Sequence, residues 1–162
     1  MGCDDHRDQN EDEGAPPAHH LVASSFYKRS AFPPQFWDGM ARATLKDMPG
    51  PLREAYLAIV PDRRRLTTMF ERDRQRMLAF KDWKDDDIRA IRAPTLLILA
   101  DHDVVSAEQA VQMYRLLPQG RLVILPGAHG AYLGVVVAAR QGSLLPPMSM
   151  KLFEAFLDDR LE

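Results

Sequence analysis

Cysteine is nearly absent: Cys3 is the single one in 162 residues. A disulfide framework and a cysteine-built structural zinc site are thereby excluded. No apolar run approaches the roughly 18 residues that a bilayer-spanning helix requires. An excess of charge is missing too, the formal net charge being −2. Nucleic-acid-binding surfaces normally appear as basic domains, so no nucleic-acid partner is expected. What remains is an ordinary globular composition, 46% apolar and 27% charged. The length suits one domain, since domains run to about 100 to 200 residues. These features point to a soluble, cytoplasmic protein with no membrane partner.

Residues 1–20 differ from the rest. Asp4, Asp5, Asp8, Glu11, Asp12 and Glu13 face a lone Arg7, with almost nothing apolar between them. Such a stretch buries too little surface to offset its ordering entropy and reads as a disordered acidic tail. It has neither the basic start nor the apolar core of a signal peptide. Met1-Gly2-Cys3 suggests N-myristoylation, but His6 stands where the acceptor pattern wants Ser or Thr. His6, His19 and His20 lie near acids, yet a flexible tail is no preformed site, and no metal is expected.

Ordered chain is expected from Leu21 onward. Leu21-Val22-Ala23-Ser24-Ser25-Phe26 has the character of a short buried strand. After Pro33-Pro34, residues 35–45 read as a helix that Pro49-Gly50-Pro51 closes, and residues 52–60 as a second. Pro61-Asp62 opens a third, in which Leu66, Met69, Phe70, Met77 and Phe80 recur at helical spacing as one apolar face. Its arginines are interleaved with Asp62, Glu71 and Asp73, as on a solvated, ion-paired helix rather than a phosphate-binding one.

From residue 93 the pattern changes. The run Ala93 to Ala100 is continuously apolar after Pro94, as in a strand covered on both faces. Ser106, with Gln109 three residues on, offers a helix start; Ala107, Ala110, Val111 and Tyr114 lie along one side, and Pro118-Gln119-Gly120 ends the helix. Arg121 to Leu125 reads as a second buried strand stopped by Pro126-Gly127. Strand, helix, strand is a βαβ unit with parallel strands and a right-handed crossover. Leu152, Phe153, Phe156, Leu157 and Leu161 form a last amphipathic helix face. The fold class is α/β.

Open parallel sheets bind ligands outside the carboxyl ends of their strands. Asp101-His102-Asp103 follows the first of these strands, and Pro126-Gly127-Ala128-His129-Gly130 follows the second. Neighbouring strands lie roughly 5 Å apart, so an acid on one loop can meet a histidine on the other. A carboxylate on one imidazole nitrogen fixes the tautomer and leaves the other free as a base. The same residue types also occur as plain loop chemistry, with Asp capping and His half-exposed. A metal centre on Asp101, His102 and Asp103 is not expected, because adjacent residues on a short loop rarely converge as three ligands.

Ile91-Arg92-Ala93-Pro94-Thr95-Leu96-Leu97-Ile98-Leu99-Ala100-Asp101-His102-Asp103-Val104-Val105 resembles the α/β-hydrolase segment that ends in the acid of the catalytic triad. Leu116 to Gly130 resembles the strand and loop that carry that family's catalytic histidine. The resemblance puts Asp103 at the acid position and His129 at the base position. Asp101 and His102 fall on variable loop positions, and Ala100 stands where the family commonly has Gly. It implies a partial α/β-hydrolase fold: a short parallel sheet of about three strands, flanking helices and a helical cap. Residues 21–162 would form this domain, with 26–90 the cap between the sixth and seventh strands and 91–162 the C-terminal part of the core. Caps in this family border the active site, so Trp37 and Met40 are candidate substrate-binding residues, with packing of the cap onto the body as the alternative.

One component is not found. The family presents its nucleophile on a G-x-S-x-G elbow, and no such stretch occurs in this sequence. Ser143 follows Gly142 but lacks the closing glycine, and no glycine flanks Ser24 or Ser25. By resemblance the chain would hydrolyse an ester-like or related acyl substrate, without a cofactor, using Asp103 and His129. Alone it is expected to be inactive, as a truncated or split hydrolase, since removal of the nucleophile leaves only residual rate. The alternative is a non-catalytic relic or interaction module. Leu21-Val22-Ala23 would be an open apolar sheet edge, so a second copy or a complementary N-terminal hydrolase half is the expected partner, besides a small-molecule substrate.

Overall fold

The computed structural model describes residues 19–138 and 140–161. Cys3, His6 and the acids of the tail lie outside the described residues. Three parallel strands are described: β1 (His20–Ala23), β2 (Thr95–His102) and β3 (Gly120–Ala128), in the order β1-β2-β3. Between β1 and β2 come the helices α1 (Pro34–Arg42), α2 (Gly50–Ile59), α3 (Arg63–Leu78) and α4 (Asp85–Arg89). The crossover from β2 to β3 is α5 (Ala107–Leu116), and α6 (Leu145–Leu157) closes the chain. No helix among the described residues is long and apolar enough to cross a membrane.

β2 is the strand whose burial the apolar run predicts. Thr95 to Ala100 are all buried, because this strand has a partner on each side and a packed layer on each face. Leu96, Ile98 and Ala100 point to one face, against Tyr132, Phe153 and Phe156. Leu97 points to the other, against Met113 and Leu117 at the α5 side, Ile88 of α4, and Tyr27. Each such Leu or Ile contributes about 1.5 to 3 kcal/mol on burial, which makes β2 the spine of the molecule.

Several sequence-based boundaries need correction. β1 opens at His20 rather than Leu21, and His19 just before it bonds Asp159 through Nε2 at 2.7 Å. Nor is β1 buried: among the described residues it is a sheet edge, and Leu21 is exposed. β3 is not a second buried strand either. It is the other edge, no residue along it is fully buried, and Ile124 is exposed. An apolar run carries the same signal whether its strand ends up in the middle or at the rim of the sheet. Pro126-Gly127 does not stop β3, which continues to Ala128; a register irregularity between Ala100 and His102 on β2 accommodates the extension. An edge position tolerates a proline without a donor N–H. The buried side of α5 is Gln109, Ala110 and Met113, with Tyr114 exposed. Helix α6 starts at Leu145, with prolines in its first turn, and buries Ser149, Phe153 and Phe156 while leaving Leu157 exposed.

Helices α1 to α3 bury little: of their residues Leu66 is fully buried, and Met69, Phe70 and Met77 are half-buried. They are held to the sheet by an aromatic cluster. Ala31, Phe32 and Val105 form its buried centre, and Phe26, Phe36, Trp37 and Met77 pack around it. Phe32 stacks on Phe36 with centroids 4.2 Å apart and meets Phe26 edge-on at 4.7 Å. Arg29 joins the two ends of this layer. Its guanidinium lies 3.7 Å from the Trp37 ring centroid and donates to the carbonyls of Leu78 and Phe80, each at 3.3 Å.

Candidate active site

The candidate site forms where β2 and β3 end. Past the irregularity in β2 the chain turns back, and the Asp103 N–H donates to the Ala100 carbonyl at 3.2 Å. This turn buries the Asp103 side chain completely. The Ser106 hydroxyl then accepts from the Gln109 N–H at 3.3 Å and starts α5, as its capping pattern predicts. On the neighbouring strand, the Gly127 N–H donates to Asp101 Oδ1 at 2.8 Å. Asp101 thus has a fixed role on the strand rather than a free loop position.

His129 follows β3 directly and is half exposed. The turn after it depends on Gly130, whose φ of +71° is left-handed and whose added Cβ would lie 1.9 Å from Val135 Cγ2. Only glycine meets both demands. The turn swings Tyr132 under the sheet, where it is 1% exposed.

Asp103 and His129 are brought together: Nδ1 of His129 lies 2.7 Å from Oδ1 of Asp103. The same oxygen accepts from the Val104 N–H at 2.8 Å. The second oxygen, Oδ2, accepts from the Ser24 hydroxyl at 2.6 Å and the Ala100 N–H at 3.3 Å. Burial pushes the Asp103 carboxyl up, but the bonds from Ser24, His129 and the Ala100 N–H outweigh it and hold the carboxyl below its ordinary range. The Tyr132 hydroxyl, 2.9 Å from Ser24 Oγ and 3.1 Å from the Ile98 carbonyl, is pushed up by burial first, then by the Asp103 charge; its bond with Ser24 works the other way.

Ser24 and Tyr132 are the site residues that sequence reasoning missed. The sequence presents Ser24 only as a serine without flanking glycines and gives Tyr132 no role. The hydroxyls of the other serines weighed as nucleophiles lead elsewhere: Ser25 donates to Met113 Sδ at 3.5 Å, and Ser143 accepts from the Leu145 N–H at 3.3 Å.

The described contacts of Trp37 and Met40 do not include Asp103 or His129. The Trp37 indole N–H donates to the Arg29 carbonyl at 3.1 Å, and its ring belongs to the aromatic cluster around Phe32. Met40 lines an open groove of about 480 Å³ on α1 with Phe36, Gly39 and Arg42. A cavity of about 800 Å³ lies between α2 and α3, lined by Leu45, Arg53, Leu57, Arg63 and Leu66, and includes neither Asp103 nor His129.

No family model matches this chain, and no curated protein does. Solved structures do. The enol-lactonase from Burkholderia xenovorans LB400 is similar at 14% identity and a TM-score of 0.53, covering 86% of this chain and 56% of that one. A variant of the meta-cleavage product hydrolase from Pseudomonas fluorescens IP01 is similar at 11% identity and 0.52, covering 86% and 55%. The thermophilic esterase from Thermogutta terrifontis is similar at 15% identity and 0.50, covering 89% and 57%. The fold is a partial α/β-hydrolase fold. The chain spans about half the length of these α/β-hydrolase structures. A short parallel sheet of three strands with flanking helices is what the resemblance implies for the fold.

Proposed function

We propose that this chain carries the acid–base half of a serine-type hydrolase site, acting on an ester-like or related acyl small molecule. The observation that supports it is the bond between Asp103 Oδ1 and His129 Nδ1 at 2.7 Å, with the acid buried and the imidazole half exposed. A carboxylate on Nδ1 leaves Nε2 as the basic nitrogen, free to take a proton from a nucleophile and return it to a leaving group. Asp103 orients the ring and stabilises the imidazolium that forms. The chemistry calls for no cofactor. Names of similar structures, an enol-lactonase and an esterase, are in keeping with an acyl substrate. Trp37 and Met40 are proposed to border the substrate passage from the cap side.

The nucleophile is proposed to come from a complementary N-terminal hydrolase half, so that the chain alone is inactive. Treatment with a fluorophosphonate probe, read by intact mass, tests this with the His129→Ala variant as control. Labelling on addition of such a half, lost in His129→Ala, is the expected result. Labelling of the chain alone that depends on His129 would place an activated serine here and overturn the split arrangement. Absence of labelling in both arms would overturn the catalytic reading.

A second reading is favoured by β1, whose outer edge has no strand partner among the described residues and whose Leu21 is exposed. Under it the chain is a cytoplasmic interaction module that pairs through this edge with a second copy, with no nucleic-acid or membrane partner. An unpaired strand edge is a template for such pairing.

A further inference from the structure

We infer that Ser24 and Tyr132 are positioning residues that lock the Asp103 carboxylate with Oδ1 turned to His129. The inference rests on the Asp–His reading above and adds to it two residues that the reading does not use.

The hydrogen-bond inventory carries the argument. A carboxylate offers only acceptors, so Ser24 spends its single proton on Oδ2 at 2.6 Å. Tyr132 then supplies its own proton, shared between Ser24 Oγ at 2.9 Å and the Ile98 carbonyl at 3.1 Å. That same carbonyl accepts the Ser24 backbone N–H at 2.8 Å. Ser24 is therefore fixed by both backbone and side chain to β2 and to Tyr132. With Oδ2 occupied by Ser24 and the Ala100 N–H, and Oδ1 by the Val104 N–H and His129, the carboxylate has no free rotation.

The backbone of Ser24 points the same way. Its φ is +45°, in the left-handed region, where a non-glycine residue bears a cost on the order of 1 kcal/mol. Ser24 is the first residue beyond β1, where the chain leaves the sheet for the cap, and this conformation accompanies the hydroxyl's bond to Asp103. Strain that persists at a site is a reason to look for a role. The proton placement also excludes Ser24 as the attacking group in this arrangement, because its O–H is directed to the acid and not to the imidazole.

The test is NMR titration of the Asp103 side-chain carboxyl in the full chain, with His129 and Tyr132 as the titratable groups that contact it directly or through Ser24. Ser24→Gly removes the hydroxyl while suiting the left-handed backbone, and Tyr132→Phe removes only the phenol oxygen. The Asp103 carboxyl is expected to titrate about one pH unit higher in Ser24→Gly and higher by less in Tyr132→Phe. Ser25→Ala, whose hydroxyl contacts Met113, is expected to leave it in place. A merely structural role would lower thermal stability without moving this titration. An unmoved Asp103 titration in both variants would overturn the inference; should Ser24→Gly not fold, an unmoved titration in Tyr132→Phe overturns it alone. A moved titration with no probe labelling in any arrangement would retire the hydrolase reading and keep the clamp. Labelling with an unmoved titration would do the reverse.

Discussion

Asp103 and His129 meet across the ends of two neighbouring parallel strands, the acid fully buried and the imidazole half open. The difference in exposure separates their contributions. Asp103 gathers donors from three segments of chain and belongs to the folded core. His129 makes one bond inward, to Asp103, and its ring is half exposed.

Asp103 is expected to make folding pH-dependent in acid. Its carboxyl is held below the ordinary range in the folded chain, so its contribution is present above the unfolded value of about 3.9 and is lost as pH falls through the folded value. Urea unfolding at pH 7 and pH 3 reads this directly. Asp103→Asn should lose about 1 to 3 kcal/mol at pH 7 and show a smaller drop between the two pH values than the parent chain.

His129→Ala is expected to cost about 0.5 to 1.5 kcal/mol, the net worth of its one hydrogen bond, while abolishing any probe labelling of the assembled site. Thermal melts and intact mass on the same sample separate the two effects. A large loss of stability would mean that the imidazole is a core group.

Gly130→Ala should destabilise by about 1 to 3 kcal/mol, because a side chain there meets Val135 at 1.9 Å with φ at +71°. Gly39, inside α1 with nothing within 4 Å of an added Cβ, should respond oppositely. Gly39→Ala is expected to gain about 0.5 to 1 kcal/mol. Equal effects of the two changes in denaturant melts would contradict the description of the His129 turn.

Leu96→Ala is expected to cost about 2 to 5 kcal/mol, since Leu96 is fully buried on the central strand. Ile124→Ala on β3 should cost clearly less, Ile124 being 41% exposed at the sheet edge. Comparable losses would mean that β3 is covered in solution, for instance by a second copy.

Much of this was legible from residue types in order. The unbroken apolar run into Asp103, the Ser106 cap and the glycines around His129 are local signals with local causes, and each is where its chemistry places it. Burial of the outer strands was not legible, because Leu122 to Leu125 reads alike at the centre or the edge of a sheet, and only the strand order distinguishes them. Ser24 and Tyr132 were invisible for a different reason. They lie 79 residues before Asp103 and on the far side of the His129 turn, respectively, and no spacing rule joins them. A serine in a left-handed conformation leaves no mark in a one-letter code.

The most direct test of the account is the tautomer of His129, read from its ring nitrogens by long-range proton–nitrogen NMR near neutral pH. The bond to Asp103 predicts that the neutral ring carries its proton on Nδ1, with Nε2 unprotonated, and that Asp103→Asn abolishes the preference. A neutral ring protonated on Nε2 in the parent chain would contradict it, since His129 would then have no basic nitrogen facing a nucleophile.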